Sequence, residues 1–256
     1  MGRLMKSDVL KAQMQALEWF HSLRALPGAW IILRVDGRNF SRLTQRFDKP
    51  FDPKFHQLMV VVSEALLKEF QGMFVYTQSD EASILMTPRA DLFDREVEKL
   101  VSLSASVASA AFSVALELPA HFDSRLWMGT SAEYVVDYFR WRQADASRCC
   151  LNGWCYWTLR KEGLSVEAAT KALHGKRTSG KNELLFQRGI NFNDLPVWQR
   201  RGTGVYWRIV EEEGFNPKTG EKVRSIRRRA FVDEGLPRGK DLDVFLHAML
   251  DSETQN

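Results

Sequence analysis

Two short acidic segments follow apolar, strand-like stretches, and their spacing limits what this chain can fold into. Asp36 comes shortly after the apolar stretch 30–33, and Asp80 lies between the stretches 73–76 and 83–86. A helical pattern of apolar residues separates the two segments. The sequence therefore predicts a β-α-β-β unit. Because neighbouring strands of a sheet lie about 5 Å apart, we expect Asp36 and Asp80 to face one another across one rim of the sheet.

Two carboxylates at such a distance repel one another unless a divalent cation lies between them. Magnesium suits this position, because it binds a few protein oxygens and leaves its other positions to water and substrate phosphates. The carbonyl of Gly37, which no side chain obstructs, is a third candidate ligand. Polymerases and nucleotide cyclases hold two metal ions in this way for phosphoryl transfer. The same residues also fit an Asp-Gly turn beside a polar hairpin tip.

The first half of the chain predicts a ferredoxin-like polymerase palm. A second long helix is expected from Asp91, and a short strand at 122–128 completes the order β-α-β-β-α-β. An amphipathic helix at 7–26 is expected to cover this unit. The fold class is therefore α+β, with a palm catalytic domain and its N-terminal helix at 1–130.

The second part of the chain, 131–256, is expected to pack on the palm as one unit. Its first stretch, from Ser131, is helical and rich in aromatic residues, which at this spacing more often fill a core than stack on bases. Two later strands, near 204–210 and 222–232, predict a C-terminal β-hairpin with a basic face. We therefore predict a helical, fingers-like region followed by this hairpin.

Six segments resemble, in order, the motifs of the tRNA-His 5′-guanylyltransferase superfamily, and within it the branch of guanylyltransferase-like 3′-to-5′ RNA polymerases. They extend over roughly residues 30 to 205 and comprise 34–40, 49–52, 79–81, 122–125, 141–145 and 181–186. The resemblance implies a palm similar to that of 5′-to-3′ polymerases, used to add nucleotides to the 5′ end of an RNA.

The resemblance also implies site residues and substrates. It implies two Mg²⁺ ions held by Asp36, Asp80 and the Gly37 carbonyl, with Glu81 as a further catalytic residue. ATP and other nucleoside triphosphates are the implied substrates, and ATP would activate 5′-monophosphorylated RNA ends. The residues implied for nucleotide and triphosphate binding are Arg34, Gly37, Arg38, Asn39, Phe40, Lys49, Ser79, Lys99 and Ser102. Arg38 and Asn39 fit a turn cap equally well.

The chain departs from the eukaryotic guanylyltransferases after the Arg-Gln-Ala-Asp motif. Those enzymes carry a His-Ile-Asn-Asn-Leu-Tyr-Asn motif tied to activity on tRNA-His, and here the segment is 147–153, with Ser147 in place of the histidine. This difference favours template-dependent 3′-to-5′ addition that repairs truncated tRNA or another RNA. Guanylate addition to tRNA-His remains the alternative.

Basic residues indicate an RNA partner. The net charge is only +4, with a pI near 9.0, but arginines and lysines crowd the C-terminal region. Such a cluster favours a phosphate backbone, although a solvated surface carries similar charge. Together with residues that match family positions, the predicted RNA-binding set is Arg142, Lys181, Asn182, Arg200, Arg201, Lys218, Arg224, Arg227 and Arg228.

Three further expectations concern assembly, location and rival functions. The resemblance implies a homotetramer built as a dimer of dimers. The sequence has neither an uninterrupted apolar run of about 18 residues nor a signal pattern, so we expect a cytoplasmic protein without a membrane partner. The rival functions are a non-catalytic RNA-binding protein and a metal-dependent nucleotide cyclase or hydrolase on the same palm.

Overall fold

A computed structural model of the protein describes residues 2–215 and 220–254. Its strands are β1 (Trp30–Gly37), β2 (Phe74–Gln78), β3 (Glu81–Met86), β4 (Phe122–Gly129), β5 (Thr203–Phe215) and β6 (Lys222–Asp233). Its α-helices are α1 (Gly2–Gln15), α2 (Phe40–Leu43), α3 (Pro53–Glu69), α4 (Val97–Leu116), α5 (Ala132–Lys161), α6 (Val166–Leu173), α7 (Thr178–Phe186), α8 (Val197–Arg201) and α9 (Lys240–Thr254). Short 3-10 turns lie at Thr44–Arg46, Leu92–Arg95 and Phe192–Asp194.

One antiparallel sheet organises the molecule. Its strand order is β4-β1-β3-β2-β5-β6. The first four strands, with α3 and α4 between them, have the predicted β-α-β-β-α-β order, which confirms the α+β, palm-like fold. The predicted C-terminal hairpin is also present, and β5 pairs with β2, so the hairpin extends the palm sheet. The predicted boundary near residue 130 falls between β4 and α5.

The sheet has a hydrophobic core on each face because the apolar residues of β1 alternate. Leu33 and Val35 belong to the core under α3 and α4, whereas Trp30 and Ile32 belong to the core under α5 and α9. Strand residues point alternately to opposite faces, so a run that is apolar throughout must be covered on both sides. Asp36 therefore lies near the end of a strand that is buried on both faces.

Two helix starts follow capping rules that were visible in the sequence. The Asp52 carboxylate accepts hydrogen bonds from the backbone N–H groups of Lys54 (2.6 Å) and Phe55 (3.3 Å), and Pro53 is the first residue of α3. The Ser131 hydroxyl caps α5 in the same way. These caps fix where α3 and α5 leave the sheet, and both helices border the candidate site.

Helix α4 is long and apolar enough to cross a membrane by length and composition. It lies against the sheet and α3, and it buries Leu100, Ala108 and Phe112 in the core. A core helix of a globular protein passes the same length and composition test. The helix starts later than predicted, at Val97, because Phe93, Asp94 and Arg95 adopt left-handed backbone angles.

The prediction of a covering helix at 7–26 was wrong in extent and in packing. Helix α1 ends at Gln15, and residues 16–22 form turns. Its expected apolar face does not pack on the sheet, because Leu10, Met14, Leu17 and Phe20 are all more than half exposed. The apolar residues are spaced as in an amphipathic helix, but the helix ends at Gln15 and these side chains stay exposed.

Candidate active site

Asp36 and Asp80 meet at one rim of the sheet, as their positions at the ends of strands predicted. Asp36 is the last residue but one of β1, and Asp80 lies in the two-residue turn between β2 and β3. The backbone N–H of Gly37 donates a hydrogen bond to the Asp80 carbonyl at 3.0 Å, so the strand end and the turn are joined directly. In the sheet, Asp36 is paired with Glu81 on one side and with Asp123 on the other.

The rim concentrates negative charge that the surrounding arginines offset only in part. Burial raises the pKa of Asp36, and the nearby Asp123 carboxylate raises it further, while the charges of Arg125, Arg34 and Arg142 oppose the shift. Burial also raises the pKa of Asp80, and the Asp36 charge adds to that shift, while the hydrogen bond from the Ser79 hydroxyl (2.9 Å) opposes it. Within residues 2–215 and 220–254, neither Asp36 nor Asp80 forms an ion pair. Their pKa values stay raised because no cation contacts either carboxylate directly among these residues.

A divalent cation fits this donor set. Asp36 and Asp80 supply carboxylate oxygens whose proton affinity is raised by burial and mutual repulsion, and hard oxygen donors of this kind are those that Mg²⁺ prefers. Gly37 has no side chain for a steric reason: an added Cβ would lie 2.4 Å from the Phe40 ring. Any larger residue at position 37 would therefore clash with the Phe40 ring.

Phe40, which was predicted to bind nucleotide, has a side chain that belongs to the hydrophobic core. Its side chain is 2% exposed and packs against Phe55, Phe112 and Phe122. A nucleotide cannot reach a ring that is enclosed on all sides by the core. The prediction that the Phe40 side chain binds nucleotide was therefore wrong. The ring instead anchors the segment that follows Gly37 to the core.

Glu81 and Arg142 form a buried ion pair, which changes the expected role of both. The Arg142 guanidinium contacts the Glu81 carboxylate at 2.8 Å and Asp145 at 3.3 Å, and its side chain is 8% exposed. Arg34 approaches Glu81 from the sheet at 3.7 Å. Burial raises the pKa of Glu81, and the two arginines oppose that shift. The predicted RNA contact of Arg142 and the nucleotide contact of Arg34 do not fit these placements, because both guanidinium groups are directed at Glu81.

Lys49 and Ser79 line a pocket of about 120 Å³ beside the acidic rim, which we call the nucleotide pocket. Burial lowers the pKa of Lys49, whose ammonium group lies 5.8 Å from the Trp157 ring. Ser79 adopts a left-handed φ of 55° in the turn that carries Asp80. The other lining residues are Thr44, Phe47, Asp48, Pro50, Phe51, Asp52, Phe55, His56, Thr77, Gln78 and Trp198.

Sequence reasoning missed the aromatic wall of this pocket. The His56 ring stacks on Trp198, with centroids 4.3 Å apart, and its Nε2 lies 3.0 Å from the Glu234 carboxylate. Burial lowers the pKa of His56, and Glu234 opposes the shift. These three residues come from α3, α8 and the segment after β6. No local motif could have connected them, because their sequence separations exceed 35 residues.

Lys99 and Ser102 do not join the other predicted triphosphate ligands within one chain. They lie at the start of α4, beside the far end of the sheet, with Leu17, Phe20 and His21. The β3 strand carries the chain away from the acidic rim for six residues, about 20 Å at 3.3 Å or so per residue, before the chain turns into α4. Lys99 and Ser102 are therefore separated from Lys49 and Ser79 within one chain, and their role in triphosphate binding stays a prediction.

The far end of the sheet carries its own acidic group. Among the residues that the structure describes, His21, Glu96 and Glu98 are the one set of three such ligands whose donor atoms all lie within 4.8 Å of one another. Glu96 is buried, and it is already contacted by His21 (3.3 Å), Arg24 (3.8 Å) and Lys99 (3.7 Å). Its charge is therefore compensated by protein cations.

Arg38 and Asn39 lie on the surface directly after Asp36 and Gly37. Asn39 has a left-handed φ of 60° and precedes α2, which fits the turn-cap interpretation, but its side chain makes no capping hydrogen bond. Arg38, Arg42 and Arg46 line one open groove with His121. None of these arginines forms an ion pair in the described part of the chain, so the groove presents free positive charge next to the acidic rim.

The predicted RNA-binding residues fall into three groups. Arg224, Arg227 and Arg228 are exposed on β6, whereas Lys181 and Asn182 lie on the surface of α7. Arg200 and Arg201 are not exposed: Arg200 is only 9% accessible, and both line a separate cavity. Lys218 lies outside the described residues.

The fold and the rim define a class of protein: a polymerase-like palm that carries paired carboxylates at the end of its central strands. Comparison with known proteins narrows the class. The family model described as tRNAHis guanylyltransferase (Thg1) matches residues 11–131, and the one described as Thg1 C terminal domain matches residues 133–235. The chain belongs to the tRNA-His guanylyltransferase (Thg1) family, which confirms the resemblance predicted from the motifs.

Similar proteins come from plants and bacteria. The chain is 35% identical over 214 residues to tRNA(His) guanylyltransferase 2 of Arabidopsis thaliana, covering 77% of this chain and 39% of that protein, so it spans about two fifths of this relative's length. A bacterial tRNA(His) guanylyltransferase (Thg1)-like protein in complex with GTP has a TM-score of 0.72 at 26% identity and covers 94% of this chain and 99% of its own. A bacterial Thg1-like protein in complex with ATP has a TM-score of 0.75 at 26% identity, with 94% and 98% covered.

Proposed function

We propose that this protein is a nucleotidyltransferase that adds nucleotides in the 3′-to-5′ direction to the 5′ end of an RNA. The observation that carries the proposal is the pair of carboxylates, Asp36 and Asp80, whose pKa values are raised and of which Asp80 directly follows Ser79, a turn residue of the pocket that Lys49 also lines. Membership of the Thg1 family supports the same chemistry. We infer that Asp36, Asp80 and the Gly37 carbonyl hold two Mg²⁺ ions.

Bound magnesium would polarise the phosphoryl group and neutralise charge that develops during transfer. The chain's own residues would position the reactants. Lys49 is a compact cation beside the rim, and the Ser79 hydroxyl and turn backbone supply further donors, so both suit a triphosphate. Phe51 and Trp198 offer apolar surface for a base in the same pocket. Bacterial relatives in complex with GTP and ATP support nucleoside triphosphates as ligands.

We propose that the 5′-monophosphate of the RNA first attacks the α-phosphate of ATP, which releases pyrophosphate and leaves a 5′-adenylylated end. The 3′-hydroxyl of an incoming nucleotide would then attack the 5′-phosphate of the RNA, form the new phosphodiester bond and release AMP. The open groove of Arg38, Arg42 and Arg46 next to the metal loop suits the negatively charged RNA end. The exposed arginines of β6 suit a more distant part of the RNA backbone.

Two versions of this activity differ in their RNA. The main version is template-dependent repair of truncated tRNA or another RNA, and it is supported by Ser147, which stands where the guanylyltransferases carry histidine. The second version is guanylate addition to tRNA-His. The names of the curated relatives favour this second version, because those relatives are called tRNA(His) guanylyltransferases.

We also propose that the protein works as a homotetramer, a dimer of dimers, in the cytoplasm and without a membrane partner. Within one chain, Lys99 and Ser102 lie at the end of the sheet opposite to Asp80. If they bind a triphosphate, as the family resemblance implies, they must approach the catalytic rim of another copy. The exposed apolar residues near them, Leu17, Trp19 and Phe20, suit a surface that is covered on assembly.

The experiment that tests this proposal supplies Mg²⁺, ATP and nucleoside triphosphates with two RNAs: a 5′-truncated, 5′-monophosphorylated tRNA and an intact tRNA-His. Asp36→Ala and Asp80→Ala serve as controls. Extension that follows the opposite strand of the truncated tRNA supports repair, and addition of one guanylate to tRNA-His supports the second version. Nucleotide turnover without a longer RNA would point to a cyclase or hydrolase, and tight RNA binding without any turnover would point to a non-catalytic RNA-binding protein.

A further inference from the structure

A second cavity, distinct from the nucleotide pocket, is lined by four arginines. It has a volume of about 270 Å³ and lies between α5, α8 and the start of α9. We call it the arginine pocket. Its lining residues are Arg140, Gln143, Ala144, Ser147, Phe192, Asn193, Arg200, Arg201, Arg238, Gly239 and Leu242. None of them is acidic, so the pocket is suited to an anion and not to a metal ion.

Three of the four arginines have no counter-ion. Arg140 pairs with Asp137 and Asp243. In contrast, within residues 2–215 and 220–254, Arg200, Arg201 and Arg238 form no ion pair. Arg200 donates from Nε to the Leu195 carbonyl at 2.8 Å, and its two terminal nitrogens have no acceptor among the described residues.

Among these arginines, Arg201 has both a buried donor without a partner and a lowered pKa. Its Nη1 donates to the Leu236 carbonyl at 3.0 Å, but its Nε is buried and has no hydrogen-bond partner. Burial, together with the charges of Arg200 and Arg238, lowers the pKa of Arg201. A buried donor without an acceptor costs free energy, and crowded like charges add to that cost. A bound anion would reduce both penalties.

The chemistry of the lining favours a phosphate group over a carboxylate. Several guanidinium groups around one cavity can form paired N–H···O bonds to a phosphate, which has more acceptor oxygens than a carboxylate. The Ser147 hydroxyl is a further donor among the lining residues, and the start of α9, where the helix dipole favours an anion, borders the cavity at Gly239. A Mg²⁺-bound triphosphate fits less well, because no lining side chain is acidic.

We propose that the arginine pocket binds a phosphate group and that its occupant is a backbone phosphate of the RNA substrate. The assignment to RNA rests on the proposed function. It is supported by α8, a five-residue helix that contributes Trp198 to the nucleotide pocket and Arg200 and Arg201 to the arginine pocket. An RNA that crosses α8 would therefore contact both sites at once.

The test compares Arg238→Gln with the matched control Lys171→Gln. In the described part of the chain, the exposed side chains of Arg238 and of Lys171, which lies on α6 outside the pocket, form neither a hydrogen bond nor an ion pair. The first measurement is the melting temperature in inorganic phosphate and in chloride at equal ionic strength, without metal. We expect phosphate to stabilise the wild type and the control, and to stabilise Arg238→Gln less.

The second measurement is tRNA affinity at several salt concentrations in EDTA, so that catalysis is not required. We expect Arg238→Gln to bind tRNA about tenfold more weakly and to lower the salt slope by about one, whereas Lys171→Gln stays within twofold of the wild type. Equal behaviour of the two variants in both measurements would overturn the phosphate site. Stabilisation by phosphate without any loss of RNA affinity would overturn the assignment to RNA.

A third variant distinguishes a loss of anion binding from a folding defect. Ser147→Asp introduces a carboxylate among the unpaired arginines, and we expect it to raise the melting temperature while it weakens tRNA binding. A folding defect would lower both quantities, and a melting temperature at or below that of the wild type would count against an anion-deficient pocket. Because these measurements need no turnover, their failure is distinguishable from a failure of the proposed enzymatic activity, which the extension assay tests separately.

Discussion

The two ends of the central sheet both carry acidic side chains, but they differ in how that charge is compensated. At the catalytic rim, burial raises the pKa of Asp36 and Asp80, and neither carboxylate forms an ion pair among the described residues. At the opposite rim, Glu96 is contacted by His21, Arg24 and Lys99. The comparison shows that a cluster of carboxylates does not define a cation site. A missing counter-ion is the more informative property.

The largest effect that tests this difference is on nucleotide addition. We expect Asp36→Asn or Asp80→Asn to lower the rate of 5′ extension about a thousandfold, because each removes a charge that would hold magnesium at the reacting phosphate. Glu98→Gln, at the opposite rim, is expected to change the rate less than about fivefold. Single-turnover extension of a labelled RNA measures both effects. A comparable loss in Glu98→Gln would contradict the distinction between the rims.

A second test concerns Glu81, the carboxylate of the catalytic rim that is held in a buried ion pair. Arg142→Met leaves the Glu81 charge buried beside Arg34 alone, and we expect a loss of about 3–5 kcal/mol in the free energy of unfolding. The control is Arg125→Met, which removes an ion pair between side chains that are 57% and 58% exposed and should cost less than about 1 kcal/mol. Urea unfolding measures both variants. A small effect of Arg142→Met would show that Glu81 does not depend on this partner.

A third test separates the lysines of the two rims. Lys49→Gln is expected to raise KM for the nucleoside triphosphate about tenfold, since the ammonium group lies in the nucleotide pocket. Lys99→Gln should have a similar effect only if another copy brings Lys99 to the catalytic rim. Steady-state kinetics measure KM for both variants at protein concentrations above and below the one at which the chains assemble. An effect of Lys99→Gln in the monomer would contradict its placement at the far end of the sheet.

The smallest expected effect is on stability as a function of pH. Because the pKa of Asp80 is raised in the folded state, the folded protein binds that proton more tightly than the unfolded chain does. Stability is therefore lost as pH rises through the folded pKa. Without metal at pH 7, Asp80→Asn should be more stable than the wild type by about 1 kcal/mol, a shift of about 2–4 °C in Tm. The difference should shrink as pH falls below the raised pKa, and Mg²⁺ should stabilise only the wild type. Thermal melts from pH 4 to 8 measure this.

The parts of the fold that were predictable from sequence are those fixed by local patterns. Apolar strand runs and the Asp52-Pro53 helix start indicated the palm order, which brings Asp36 and Asp80 to one rim, and Ser131 marked the start of the helix that follows the palm. The C-terminal hairpin was also predictable, because its strands are long and separated by turn residues. Its pairing with β2 was not, since that contact joins residues more than 120 positions apart.

The errors have a common physical origin in contacts between distant segments. The role of Glu81 depends on Arg142, 61 residues away, and the arginine pocket depends on α8 and α9 packing against α5. Phe40 matched a motif whose backbone matters at the site while its ring fills the core. Lys99 was assigned by motif alone, although the direction of β3 carries α4 to the opposite rim.

The most direct measurement of the central claim is Mn²⁺ binding in the presence of a non-hydrolysable ATP analogue, followed by electron paramagnetic resonance. The wild type and Glu98→Gln are compared with Asp36→Asn and Asp80→Asn. We predict that the wild type and Glu98→Gln bind Mn²⁺ equally and that both aspartate variants lose the protein-bound signal. Retention of that signal in the aspartate variants, or its loss in Glu98→Gln, would contradict a metal site built from Asp36 and Asp80, the carboxylates of the catalytic rim that form no ion pair among the described residues.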